Sequence, residues 1–186
     1  MRLNLPLLAL AAIVAAAPAP AQPVAVPAFR SVELTGGGTI TLRQGSVQRV
    51  TLVRGSTDFT GLRVDRQGKL RIAACRVRCP RKYDLRIEIV SPRAPDVAIS
   101  GGGEIRASGF SRQGQLSAAI NGGGRIDVRA VPASSVSAAV NGGGAILVRP
   151  LSHLAAAVRG GGEIAYTGNP HVSQAVAGGG SVRRIR

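Results

Sequence analysis

The side chains of this chain that could do chemistry are few and widely spaced. It carries nine acidic residues and two histidines, His153 and His171. A glycosidase needs two carboxylates about 5–10 Å apart. Glu104 and Glu163 hold equivalent places in a sequence repeat, with two repeats between them, which puts them about 14 Å apart at the spacing of stacked strands. This pair is therefore too widely separated for glycoside hydrolysis.

The remaining candidates lack partners. Asp127 stands between Arg125 and Arg129, a pattern typical of a solvated surface charge. The two histidines are interpreted as lone, exposed side chains, and no G-x-S-x-G motif accompanies either of them. We therefore predict no catalytic, cofactor-binding or metal-ligating residue and expect no cofactor. An enzyme acting on polysaccharide is the least favoured of the alternatives.

Glycine-rich segments such as NGGGRIDV (121–128) and NGGGAILV (141–148) look like phosphate-binding loops. Such a loop needs a helix after it, and a P-loop also needs Gly-Lys-Ser/Thr. Neither is present, because an alternating β pattern follows each triplet. A calcium-binding β-roll has the pattern G-G-x-G-x-D, but Arg125 replaces its fourth-position glycine. The glycines are therefore predicted to be architectural.

The glycine triplet recurs six times, and the last five copies are 21, 20, 18 and 18 residues apart. An aliphatic residue stands two positions before and two positions after every triplet, in a pattern of period two that predicts strands with one buried face. The triplets, predicted as structural turns, are Gly36, Gly37, Gly38; Gly101, Gly102, Gly103; Gly122, Gly123, Gly124; Gly142, Gly143, Gly144; Gly160, Gly161, Gly162; and Gly178, Gly179, Gly180.

A unit of this length cannot bury its apolar face alone, so the repeats must stack. The sequence therefore predicts an all-β fold, a parallel β-helix or β-solenoid with glycine-rich coils of about 18–21 residues. Glycine suits the corners of such coils, because it adopts positive φ and leaves room for neighbouring backbone. We expect Gly123 to have both properties.

The chain divides into four predicted segments. Residues 1–21 combine Arg2, an apolar run and an A-x-A site, the pattern of a secretory signal peptide. Residues 22–27 are a predicted linker, and 28–186 a single domain. Within that domain, 28–95 form a β-rich region that caps or begins the stack, and 96–186 form the regular coils. The chain is thus expected to be exported, to the periplasm or the extracellular space.

Two further features concern partners. Cys75 and Cys79 are predicted to form a disulfide, because an exported chain meets an oxidising environment. The formal charge is +15, and 22 of the 24 basic residues are arginine. A basic surface attracts polyanions, but the arginines are scattered, and coding bias or solubility would also explain them. Nucleic acid is not expected, because the chain has few aromatic residues for base stacking.

Four stretches of the chain share a common character: VELTGGGTITLRQG, GKLRIAA, YDLRIEIVSPRAPDVAISGGGEI and the final GGGEIAYTGNPHVSQAVAGGGSVRRI. In this order they resemble the DUF2807 family, also called the putative auto-transporter adhesin, head GIN domain. The resemblance covers about 28–186 and implies an exported β-helical domain for which no catalytic or ligand residues carry over. A self-exporting adhesin is not expected from a chain of this length.

Together these observations favour a non-catalytic interaction module of the bacterial envelope or surface, with another envelope protein or an anionic envelope polymer as its partner. The alternative is a basic envelope protein that binds anionic polysaccharide or lipopolysaccharide.

Overall fold

The computed structural model describes residues 21–186, which contain fifteen strands and no helix. The predicted signal peptide lies outside the described residues, apart from Ala21. All fifteen strands join one curled sheet. The strands are β1 Gln22–Val24, β2 Ser31–Gly36, β3 Thr39–Gln44, β4 Arg49–Arg54, β5 Gly61–Val64, β6 Lys69–Ala73, β7 Arg86–Ser91, β8 Asp96–Gly101, β9 Glu104–Ser108, β10 Gln113–Gly122, β11 Arg125–Gly142, β12 Ala145–Arg159, β13 Glu163–Tyr166, β14 His171–Ala177 and β15 Ser181–Arg184.

Each repeat, called a coil here, has two strands joined by a bend. This bend, formed by the glycine triplet in most coils, is called the corner, so each coil has one strand before its corner and one after it. The strands before the corners pair in parallel in the order β6, β2, β8, β10, second part of β11, second part of β12, β14. Those after the corners pair in parallel in the order β7, β3, β9, first part of β11, first part of β12, β13, β15. Corresponding residues of successive coils therefore lie side by side.

The core consists of ladders of aliphatic side chains, one from each coil. Alternation places every second residue on the inner face, so that equivalent residues meet. All members except the last of each ladder are buried. One ladder after the corners contains Ile87, Ile40, Ile105, Ile126, Ile146, Ile164 and Val182. Its counterpart before the corners contains Ile72, Leu34, Ile99, Ile120, Val140, Val158 and Val176.

At the N-terminal end, the order of the coils in the stack differs from their order in the sequence. The coil of residues 31–44 lies between those of 69–91 and 96–108. This follows because β2 pairs with both β6 and β8, and β3 pairs with both β7 and β9. The coil that lies in the middle of these three therefore comes first in the sequence, and the coils on its two sides follow it. Alternation alone does not reveal this order, because it identifies strands but not their partners.

Antiparallel strands complete this end of the sheet. β4 pairs with β7, β1 pairs with β4, and β5 pairs with β6. Within the predicted linker of residues 22–27, residues 22–24 form β1. An edge strand tolerates Pro23, which has no N–H to donate, and β4 offers a free edge for pairing.

The C-terminal coil ends the sheet differently. Its inner positions include Gln174, in register with the buried Ala156, and Arg184, in register with Tyr166. Both side chains are exposed. Polar groups at inner positions of an edge discourage further strand pairing, so this coil protects the edge by its side chains and not by added strands. Within residues 21–186, no helix has the length and apolar character needed to cross a membrane.

Candidate functional site

The first glycine of each triplet lies where the backbones of successive coils touch. Gly122 has a φ of +130°, and a Cβ built on it would lie 2.5 Å from the Gly101 carbonyl oxygen. Gly142 has a φ of +124°, and its Cβ would lie 2.5 Å from the Gly122 carbonyl oxygen. An L-residue with a side chain meets backbone strain and a backbone collision at these two positions.

The central glycine has different surroundings. Gly123 was expected to combine positive φ with close packing, and this expectation is wrong on both points. It is absent from the positive-φ residues, and no heavy atom lies within 4 Å of its Cβ position. Gly123 sits at the apex of the bend, where its N–H donates to the Gly101 carbonyl 3.0 Å away and the Cβ position opens outward.

On the outer face after the corners, the carboxylates are paired with arginines. Glu104 accepts from the Arg106 Nε at 2.8 Å and lies 3.8 Å from the Arg125 Nε. Asp127 forms a two-point ion pair with Arg129. Glu163 pairs with Arg183. Glu104 and Glu163 stand in the same ladder with two coils between them, so these carboxylates do not form a general acid–base pair.

The charge state of Asp127 follows from its neighbour. The Arg129 guanidinium donates to both carboxylate oxygens and lowers the pKa of Asp127 below its ordinary value, against the opposing effect of partial burial. The same pairing raises the pKa of Arg129. Asp127 is therefore a fixed anion that orients Arg129, which is the opposite of what a proton donor near neutral pH requires.

The two histidines lie next to each other. His153 and His171 are register partners on β12 and β14, and their rings stack with centroids 6.3 Å apart. Interpreting them as lone side chains was wrong. The two histidines are 18 residues apart in the sequence, which equals the length of the coils in this part of the chain. This equality was the sequence signal that could have predicted their contact. Within residues 21–186, no group of three or more potential metal ligands forms.

Three arginines from successive coils line one cleft on the outer surface. This arginine cleft has a volume of about 620 Å³. Its lining residues are Arg106, Ala107, Asp127, Arg129, Ala130, Arg149, Thr167 and Gly168. The sequence analysis missed it. Arg129 and Arg149 both stand five residues after a triplet, but an irregularity in the pairing places Arg149 opposite Pro132, so counting from the triplets does not locate the cleft.

The outer surface of the strands before the corners consists mainly of small side chains. This alanine face has an alanine ladder at its centre and a polar ladder at its edge, in a groove of about 600 Å³. The alanine ladder contains Ala98, Ala119, Ala139, Ala157 and Ala175, and the polar ladder contains Ser100, Asn121, Asn141 and Arg159. The same coils therefore present one charged and one nearly uncharged surface.

The predicted disulfide is confirmed: Cys75 and Cys79 are bonded to each other. They lie in the exposed loop between β6 and β7, where the other coils carry a glycine triplet or a bend. The bond closes the corner of the coil of residues 69–91.

A comparison with protein families gives a match over residues 60–170. The matching model is described as "Putative auto-transporter adhesin, head GIN domain", DUF2807. The chain belongs to the DUF2807 family. The resemblance inferred from the glycine-containing stretches is thus confirmed, and the DUF2807 description names an adhesin and not an enzyme.

Solved structures similar to this DUF2807 chain come from several bacteria. A putative adhesin from Bacteroides fragilis is 20% identical, with 89% of this chain and 96% of that chain covered and a TM-score of 0.45. A putative lipid binding protein from Parabacteroides distasonis is 15% identical with the same coverage and a TM-score of 0.41. A putative cell adhesion protein from Clostridium sporogenes is 8% identical, again with that coverage and a TM-score of 0.41. No curated protein matches the chain.

Proposed function

We propose that this chain is an exported, non-catalytic interaction module of the adhesin type. The observation that carries the proposal is the alignment of outer side chains from coil to coil, which creates extended faces of repeated composition. Repeat proteins bind their partners through such faces. Membership of the DUF2807 family, whose description names an adhesin, supports the same class.

The architecture proposed for this module is a β-solenoid of residues 28–186, with an N-terminal region at 28–95 and regular coils at 96–186. Parallel, in-register pairing of successive coils supports it. The glycine triplets serve as its turns, a role supported by the positive φ values of Gly122 and Gly142. In this arrangement a binding surface grows by one coil, about 4.8 Å, at a time.

Export is proposed to the periplasm or the extracellular space. The disulfide supports it, because such bonds persist in oxidising compartments. The predicted signal peptide would be removed, so mass spectrometry of the exported protein is expected to find an N-terminus near Gln22. Recovery of cytoplasmic protein that begins at Met1 would contradict the proposal.

The interaction itself is tested with the exported protein, fluorescently labelled, and isolated bacterial envelopes. Binding is expected to saturate and to be displaced by unlabelled protein, because aligned side chains form a defined surface. Linear binding without displacement would contradict a specific module. In the same mixtures, release of new reducing ends from envelope polysaccharide would contradict a non-catalytic role.

A second candidate function is the binding of anionic polysaccharide or lipopolysaccharide. The excess of positive charge favours it, since the net charge stays at +14 after Arg2 leaves with the signal peptide. Retention on immobilised heparin or lipopolysaccharide is expected to fall steeply between about 50 mM and about 200 mM salt. Neutral dextran serves as the control polymer. Retention that does not depend on salt would overturn this candidate.

A further inference from the structure

The arginine cleft holds more positive charge than its own carboxylate neutralises. Its lining contains three arginines and one carboxylate, Asp127. Arg129 is paired with Asp127, and Arg106 with Glu104 just beyond the lining. Arg149 takes part in none of the ion pairs formed within residues 21–186. A surplus guanidinium therefore faces the cleft from the middle of the regular coils.

The existing ion pairs also leave donors available. A guanidinium has five N–H donors in a fixed planar fork. Arg129 uses its Nε and one terminal nitrogen on Asp127, and Arg106 uses its Nε on Glu104. The unused terminal N–H groups, together with all those of Arg149, can donate to an incoming anion. The pairing with carboxylates holds two of the three side chains in place before any ligand arrives.

The placement of these arginines favours an extended anion. They come from three successive coils but from different points along the strands: Arg106 is in register with Asp127 and Arg149 with Pro132, on either side of Arg129. The charges are therefore spread along and across the stack, which suits a polymer with a carboxylate on each unit better than a single small anion. The cleft is open and is also lined by Ala107 and Ala130, whose small side chains leave room for sugar rings. No aromatic side chain lines the cleft, so nucleic-acid bases have no stacking surface.

We propose that the arginine cleft binds the carboxylate groups of an acidic polysaccharide built from uronic acid units. Arg149 supplies the principal charge-assisted hydrogen bonds, and Arg129 and Arg106 contact the carboxylates of neighbouring units. Thr167 also lines the cleft, and a threonine hydroxyl can bond a sugar hydroxyl. This inference rests on the second candidate function and specifies its site and its ligand.

The test measures binding of polygalacturonate to the full exported chain by titration calorimetry. Arg149→Gln removes the surplus charge, and Arg159→Gln is the matched control, because it removes the same charge from the alanine face. Arg149→Gln is expected to weaken binding about tenfold, the loss of one charged hydrogen-bonding group, and to reduce the salt slope by about one. Arg159→Gln is expected to leave affinity within about twofold. Thermal melting confirms that both variants are folded.

The outcomes separate the site from the function on which it depends. Equal weakening by both variants would overturn the cleft and leave general charge attraction. Binding of heparin without binding of polygalacturonate would overturn the carboxylate assignment while the polyanion function stands. Wild-type protein that binds neither polymer at low salt would overturn both. Binding of fully methyl-esterified polygalacturonate as tightly as the free acid would also reject the proposal, because the ester carries no charge.

Discussion

The first three coils of the stack and the three that follow fill the same inner position with side chains of different size. The ladder four residues before the triplets goes from leucine through valine to alanine along the stack and ends in glutamine. Its members are Leu70, Val32, Val97, Ala118, Ala138, Ala156 and Gln174. The coils of residues 31–44, 69–91 and 96–108 thus have branched side chains at a position where the next three coils have only a methyl group.

The regular coils replace this lost apolar volume in another place. Leu116, Val136 and Leu154, two residues earlier in each coil, are buried and lie in register. The coils that contain β2, β6 and β8 have no equivalent position, because these strands begin later. The same core is therefore built from short strands with large side chains at one end and from longer strands with small ones at the other.

The two regions are also held together differently. Successive regular coils are neighbours in sequence, and backbone hydrogen bonds continue through their corners, as from Gly143 to Gly122. The N-terminal region relies on pairing between distant segments, on antiparallel β1, β4 and β5, and on a disulfide. The regular coils thus repeat the same pairing between segments that are neighbours in sequence, whereas the N-terminal region depends on contacts between distant segments.

The largest expected effect tests the corner of a regular coil. Gly122→Val should destabilise the protein by about 2–6 kcal/mol, since it combines positive φ with a collision against the Gly101 carbonyl. Gly123→Val is the control, because its Cβ meets open space, and it should change stability by less than about 1 kcal/mol. Urea denaturation of both variants gives the comparison. Equal losses would show that the corners are not packed as described.

The next effect tests the tapering ladder from both directions. Leu70→Ala should cost about 2–5 kcal/mol, because a fully buried side chain leaves a cavity. Ala138→Leu, at the same ladder position among methyl groups, should cost about 1–3 kcal/mol through overpacking. If Ala138→Leu stabilises the protein in urea denaturation, the regular coils contain unfilled space and the comparison fails.

Removal of the disulfide should have a smaller effect and should be confined to the N-terminal region. Replacing both Cys75 and Cys79 with serine opens a very short loop, worth about 2 kcal/mol on the chain-entropy model. Hydrogen exchange should become faster in β6 and β7 and stay unchanged in β12. A uniform increase over the whole chain would indicate that the two regions unfold as one unit.

The smallest effect concerns acid. The pKa of Asp65 is lowered mainly by the Lys69 backbone N–H, and that of Asp127 mainly by Arg129. Because both pKa values lie below the ordinary value of 3.8, their stabilisation is complete above that pH. It is lost as pH falls through the folded-state pKa values.

The melting temperature should accordingly fall as the pH drops below about 4. Asp65→Asn and Asp127→Asn should each flatten this fall in part, the first through the N-terminal region and the second through the regular coils. A wild-type melting temperature that rises in acid would contradict the sign of both pKa shifts.

Much of the regular half was predictable from local pattern. Alternation of apolar and polar residues around each triplet specified the strands, their inner faces and the register, because a slip of one residue would expose every inner side chain. The arginine cleft does not follow from that register, because an irregularity between Asp127 and Pro132 places Arg149 opposite Pro132 and not opposite Arg129. The stacking of His153 on His171, in contrast, follows from the register.

The sequence by itself determined the all-β class, the DUF2807 resemblance and the inner ladders, because a period of two acts over a few residues and repeats. The tertiary structure alone decided the order of the N-terminal coils, the pairing of β1 with β4 and the different roles of Gly122 and Gly123. These depend on which distant backbone comes to lie against each segment. No local pattern encodes that choice, because any exposed strand edge offers the same hydrogen-bonding groups.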